Sequence, residues 1–93
     1  WPFYLWMMIK VYQKIEAMRQ HFGWDKTDTK AFMVDALLEE VHELKEAMTL
    51  SEDEFKDELA DVLMYAFSIC IDEGYDIDSL IETKIDKVMQ REY

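Results

Sequence analysis

Apolar residues recur at three- and four-residue steps along nearly the whole chain, the spacing of one face of an α-helix. Met8, Val11, Tyr12, Ile15, Met18 and Phe22 trace a first helix over about Phe3–Phe22, with Pro2 suited to its first turn and Gly23 to its end. The stretch Gly23–Lys30 reads as a polar loop, and Asp28 or Thr29 is placed to cap a second helix that runs to about Met48. Ser51 and Glu54 form a capping-box pair that opens a third helix, which continues to about Glu73 and stops at Gly74. Asp76 or Asp78 caps a fourth, carrying Ile77, Leu80, Ile81, Ile85, Val88 and Met89. The pattern predicts an all-α fold, mainly a four-helix bundle, as one domain over residues 1–93.

In the second helix Met33, Leu37, Val41, Leu44 and Met48 form an apolar stripe. The third helix has two apolar faces. Phe55, Leu59, Val62, Leu63, Ala66 and Cys70 make one, and Ala60, Met64, Phe67 and Ile71 the other. A helix apolar on most sides is buried on most sides. A chain of 93 residues can hardly cover both faces, so the second is expected to pack in a homodimer or homotetramer.

Acidic residues interrupt these stripes. Glu40 falls within the arc of the second helix, between Leu44 and Ala47, and Glu43 lies at its edge. Glu58 borders the stripe of Phe55, Leu59, Val62, Ala66 and Ile69, with Asp61 one step further round. Glu40 and Glu43 are three apart, as are Glu58 and Asp61, so each pair shares a helix face. Fourteen residues separate Glu43 from Glu58, enough to end one helix, turn and begin the next antiparallel to it. Acids number 21 of 93, so such pairs also arise by chance on solvated faces. Their position on packing faces is the stronger signal, because a carboxylate aimed at a core must be paired, protonated or metal-bound. Four carboxylates from two facing helices offer the hard oxygen ligands that Mg²⁺ or Mn²⁺ takes.

The formal net charge of −11 argues against nucleic-acid polymers and anionic membranes as partners. Small phosphorylated ligands remain open, because a bound divalent cation reverses the local sign. Lys84, Lys87 and Arg91 form a basic stripe on the fourth helix, read either as a solvated helix end or as phosphate contacts. The lone Cys70 excludes an intrachain disulfide and reads as a buried structural thiol. The run Trp1–Ile9 lacks a basic leader and a small-residue cleavage site, and Val62–Ile71 is too short to span a bilayer. The expected setting is cytoplasmic. The chain begins with Trp1 rather than Met, so an excerpt of a longer protein is one expectation.

Glu39-Glu40-Val41-His42-Glu43, a fourteen-residue spacer and Glu58-Leu59-Ala60-Asp61 resemble the EExxE–ExxD signature of the MazG nucleotide pyrophosphohydrolases, in the all-α NTP pyrophosphatase superfamily. GWDKTDTKAF resembles the stretch before that signature, DELADVLMYAF its third helix and KIDKVMQREY its basic C-terminal helix. The likeness spans about residues 19–93. Phe22-Gly23 stands where the family usually has Cys-Pro before the Trp, which bears on the shape of the base pocket.

The resemblance implies a helical bundle that dimerises, sometimes into tetramers, with the active site near the subunit interface. It implies hydrolysis of a nucleoside triphosphate, here expected to be a deoxynucleotide, between the α- and β-phosphates, and a house-cleaning role. Mapped by motif, Glu40, Glu43, Glu58 and Asp61 ligate Mg²⁺, with Mn²⁺ as a substitute, and Glu39 and Glu40 are the catalytic acids. Lys84, Lys87 and Arg91 hold the phosphates, and Trp6, Phe22, Trp24 and Phe32 are candidates for the base wall. Competing readings are a dUTP or phosphoribosyl-ATP pyrophosphohydrolase, a ferritin-like di-iron bundle and a non-catalytic oligomerisation module. The di-iron reading is weakened because His42 lies about 160° round the helix from Glu40, with no second Glu-x-x-His in the chain.

Overall fold

The computed structural model describes residues 3–91, with side chains from Lys10 onward. Five helices follow in order: α1 (Phe3–Phe22), α2 (Trp24–Thr27), α3 (Lys30–Ala47), α4 (Glu52–Glu73) and α5 (Ile77–Met89). Their ends follow local chemistry. The Thr29 hydroxyl accepts from the Phe32 amide at 3.1 Å and opens α3, and Ser51 does the same for Glu54 at 3.1 Å to open α4. Gly23 and Gly74 stop α1 and α4 with φ of 74° and 72°, left-handed values that cost an L side chain strain. Asp76 precedes α5 without a side-chain bond to its backbone and accepts from the Ser79 hydroxyl at 2.7 Å instead.

The body is an antiparallel α3–α4 hairpin, with α1 laid across α4 and the one-turn α2 held against α1. Among the described residues Ile15, Arg19, Met33, Ala47 and Ser68 are buried. Ser68 satisfies its hydroxyl by donating to the Met64 carbonyl one turn back, at 2.6 Å. Among the described residues no helix is long and apolar enough to cross a membrane.

Three expectations change. The segment Gly23–Lys30 is not all loop, since Trp24–Thr27 closes one helical turn. The inward face of α3 runs through Met33, Leu37, Glu40, Leu44 and Ala47, leaving Val41 and Met48 exposed. On α4 the face expected inward leaves Leu59 and Leu63 exposed, because Asp61, Tyr65 and Ser68 turn toward the body instead. Cys70 is half-buried, and desolvation pushes its thiol above the ordinary value.

Among the described residues α5 makes no extended packing with the other helices and buries none of its own side chains. Its Leu80, Ile81 and Ile85 stand open to solvent, as do Val34, Leu38 and Val41 on one face of α3.

Candidate active site

The α3–α4 hairpin brings the acidic residues together. Oxygens of Glu40, Glu43 and Glu58 lie within 4.8 Å of one another, and Asp57, Glu58 and Asp61 form a second such group sharing Glu58. Glu40, Glu58 and Asp61 are half-buried, whereas Glu43 and Asp57 lie at the rim. Glu40 Oε2 and Glu58 Oε2 are enclosed and have no hydrogen-bond donor. An enclosed carboxylate oxygen without a donor is costly.

The strain appears in the acidities. Burial lifts the Glu40 carboxyl to about 7, helped by a hydrogen bond with Glu43 and by the charges of Glu43, Asp61 and Glu58. Glu58 is raised by burial and then by Glu43 and its neighbours. Asp61 is raised by burial and by the Asp57 and Glu43 charges, while a hydrogen bond from Glu40 acts in the opposite direction. Three acids pushed toward their neutral forms, two of them with an orphaned oxygen, fit a divalent cation, which would supply the missing positive charge.

Beside the acids lies a cavity of about 410 Å³. Glu40 and Asp61 line its acidic edge, Trp24 and Phe32 supply aromatic surface, and Met18, Met64 and Tyr65 supply much of the rest. Phe22 does not line it, but stacks on Trp24 with ring centres 4.6 Å apart and planes 22° from parallel. An apolar, aromatic hollow adjoining a cation-ready cluster is the form of a site for a ligand with a flat ring at one end and anionic groups at the other.

Arg19 also lines the cavity and is only 2% exposed. Its guanidinium meets Asp28 Oδ2 at 3.4 Å, Asp72 Oδ2 at 2.5 Å and the Trp24 carbonyl at 3.2 Å.

The family model for the MazG nucleotide pyrophosphohydrolase domain matches residues 28–93. The chain belongs to that family. No curated protein and no solved structure matches it. The MazG match covers α3, α4 and α5 and so includes every clustered acid. It begins after α1 and α2, which supply Met18, Arg19 and Trp24 to the cavity.

Within this MazG domain the expected site residues therefore divide. Glu40, Glu43, Glu58 and Asp61 are gathered, and Trp24 and Phe32 face the same hollow. Glu39 is exposed on α3. Lys84, Lys87 and Arg91 are exposed and do not line the cavity. Trp6 lies outside the residues whose side chains are described. Asp57, Arg19, Tyr65 and Ser68 were missed. For Asp57 the sequence held a signal, one turn before Asp61 on the same helix face.

Proposed function

We propose that the domain hydrolyses nucleoside triphosphates, deoxynucleoside triphosphates foremost, between the α- and β-phosphates to give the monophosphate and pyrophosphate. The observation that carries this reading is the pair of enclosed, donorless oxygens, Glu40 Oε2 and Glu58 Oε2, in one acid cluster whose Glu40 lines an aromatic-walled cavity. Glu40, Glu43, Glu58 and Asp61 would hold Mg²⁺ or Mn²⁺. When bound, such an ion offsets phosphate charge and makes a coordinated water more acidic.

The chain's own groups do the rest. Trp24 and Phe32 sandwich or stack on the base, and Met18 and Met64 exclude water around it. Glu40, with a carboxyl near neutrality in the ion-free state, must lose its proton before it can act as a ligand. Glu39, next to it on the solvent side of α3, is assigned to orient the attacking water. Lys84, Lys87 and Arg91 are assigned to the outer phosphates, for which an otherwise acidic chain has few alternatives. Because α5 packs little against the described residues of one chain, that assignment goes with assembly into a dimer or tetramer that covers the apolar faces of α3 and α5. The setting that suits this chemistry is cytoplasmic removal of unwanted nucleotides.

The test is pyrophosphate release from the eight common ribo- and deoxyribonucleoside triphosphates, with both products identified, by wild type and by Glu40→Gln and Asp61→Asn. Release by wild type with Mg²⁺, lost in both variants, is expected. Undiminished release in both variants refutes the assignment, and a single preferred substrate such as dUTP would move it to a narrower relative.

A further inference from the structure

The cavity wall that carries Trp24 is not held in place by apolar burial. α2 is one turn long, buries none of its residues and follows a left-handed glycine, Gly23. Trp24 itself is 42% exposed. Phe22 stacks on it, but Phe22 is itself 56% exposed and so offers little anchorage.

What reaches α2 from the body is Arg19. Its place on α1 is one turn beyond Ile15, on the buried side, where the helical pattern calls for an apolar residue. A guanidinium enclosed there must be paired. Nη1 donates to Asp28, in the link from α2 to α3, and Nη2 donates to both Asp72 on α4 and the Trp24 carbonyl. One planar fork thus joins α1, α2, the α2–α3 link and α4. Lysine, a point charge with a single nitrogen, cannot reach the same acceptors in the same geometry.

We propose that Arg19 is a positioning residue for the nucleotide base: anchored by Asp72, it holds the Trp24 carbonyl and Asp28 so that the indole is fixed as a wall of the cavity. Arg19 sets how tightly, and how selectively, the base is gripped, while the carboxylate cluster on the α3–α4 hairpin is left as it is. The inference rests on the reading of the cavity as a base site. It concerns a part of the chain that precedes the matched family segment.

Two measurements test it. The first needs no turnover. In a protein carrying Trp1→Phe and Trp6→Phe, Trp24 is the sole indole, and its quenching by acrylamide is compared with that in the same protein bearing Arg19→Lys or Asp72→Asn. Both substitutions are expected to raise the quenching constant of Trp24 about two-fold, with helical circular dichroism retained. Asp72 does not line the cavity, so its variant keeps the test valid if Arg19→Lys fails to fold.

The second measurement is steady-state hydrolysis. Arg19→Lys is expected to raise KM about ten-fold, equivalent to about 1.4 kcal/mol, with kcat and Mn²⁺ affinity unchanged and the preference among bases flattened. Combined with Trp24→Ala it should add little further. A merely structural arginine would lower the melting temperature and leave KM, base preference and quenching unmoved, and that result overturns the proposal. If wild type releases no pyrophosphate, the functional reading falls, and the quenching experiment still decides whether Arg19 fixes Trp24.

Discussion

Replacing Glu40 by Gln is expected to make the ion-free protein more stable above neutral pH while weakening its response to Mg²⁺. The Glu40 carboxyl stands at about 7 against an ordinary 4.5, raised by burial first and then by Glu43, Asp61 and Glu58. The folded chain therefore binds this proton more tightly than the unfolded chain does. Its favourable contribution is complete below about pH 4.5 and is lost as pH rises through about 7. Above that, keeping Glu40 ionised costs the fold. The gap corresponds to about 3 kcal/mol at full strength, and solvent reaching the Glu43 rim screens it to about 1–2 kcal/mol. Glutamine keeps the size and removes the charge. In EDTA at about pH 8, Glu40→Gln should melt about 5–10 °C above wild type. The assay is thermal unfolding by circular dichroism from about pH 5 to about pH 8, with EDTA and then with excess Mg²⁺. Wild type should lose stability as pH rises in EDTA and regain it with the ion, whereas the variant, left with the raised Glu58 and Asp61 carboxyls, should respond less to either. A wild-type melting temperature that ignores pH over this range, or a variant that melts below wild type at the alkaline end, refutes the argument.

Glu58→Gln and Asp61→Asn should each cut pyrophosphate release by about two orders of magnitude or more, since each removes charge from the ion cage; titration calorimetry with Mn²⁺ checks that the loss lies in ion binding. Trp24→Ala should weaken substrate binding by about 1–3 kcal/mol, the usual worth of stacking a base on an aromatic ring, read as a higher KM with Mn²⁺ affinity intact. Ion affinity in wild type should climb as pH passes through about 7, because Glu40 must shed its proton to bind. Ile81→Asp with Ile85→Asp, both on the open face of α5, should reduce a dimer or tetramer to monomer in sedimentation velocity; an unchanged sedimentation coefficient would remove α5 from the interface.

Helix boundaries were legible wherever a side chain or a glycine enforces them, as at Ser51, Thr29, Gly23 and Gly74. The one-turn α2 was not, since four residues carry no periodicity to read. Which way each helix turns was legible only in part. The wheel of α3 centred near Val41 by hydrophobicity, yet the partner helix α4 draws Glu40 inward and leaves Val41 out. The clustered acids could be read because their spacing and their place among apolar residues agreed. Arg19 could not be assigned in that way. A basic residue in the last turn of a helix ordinarily serves the helix dipole at the surface, and its two carboxylate partners lie 9 and 53 residues away.

The two halves of the site have different histories in the folding chain. The acids from Glu40 to Asp61 belong to one uninterrupted hairpin, so they meet through contacts between near neighbours in sequence. The wall that carries Trp24 depends on a link across much of the chain, from Arg19 to Asp72, 53 residues on. Local contacts form early and distant ones late, and segments with little burial open first on warming. A gently heated molecule should therefore forget its nucleotide while still gripping its ion.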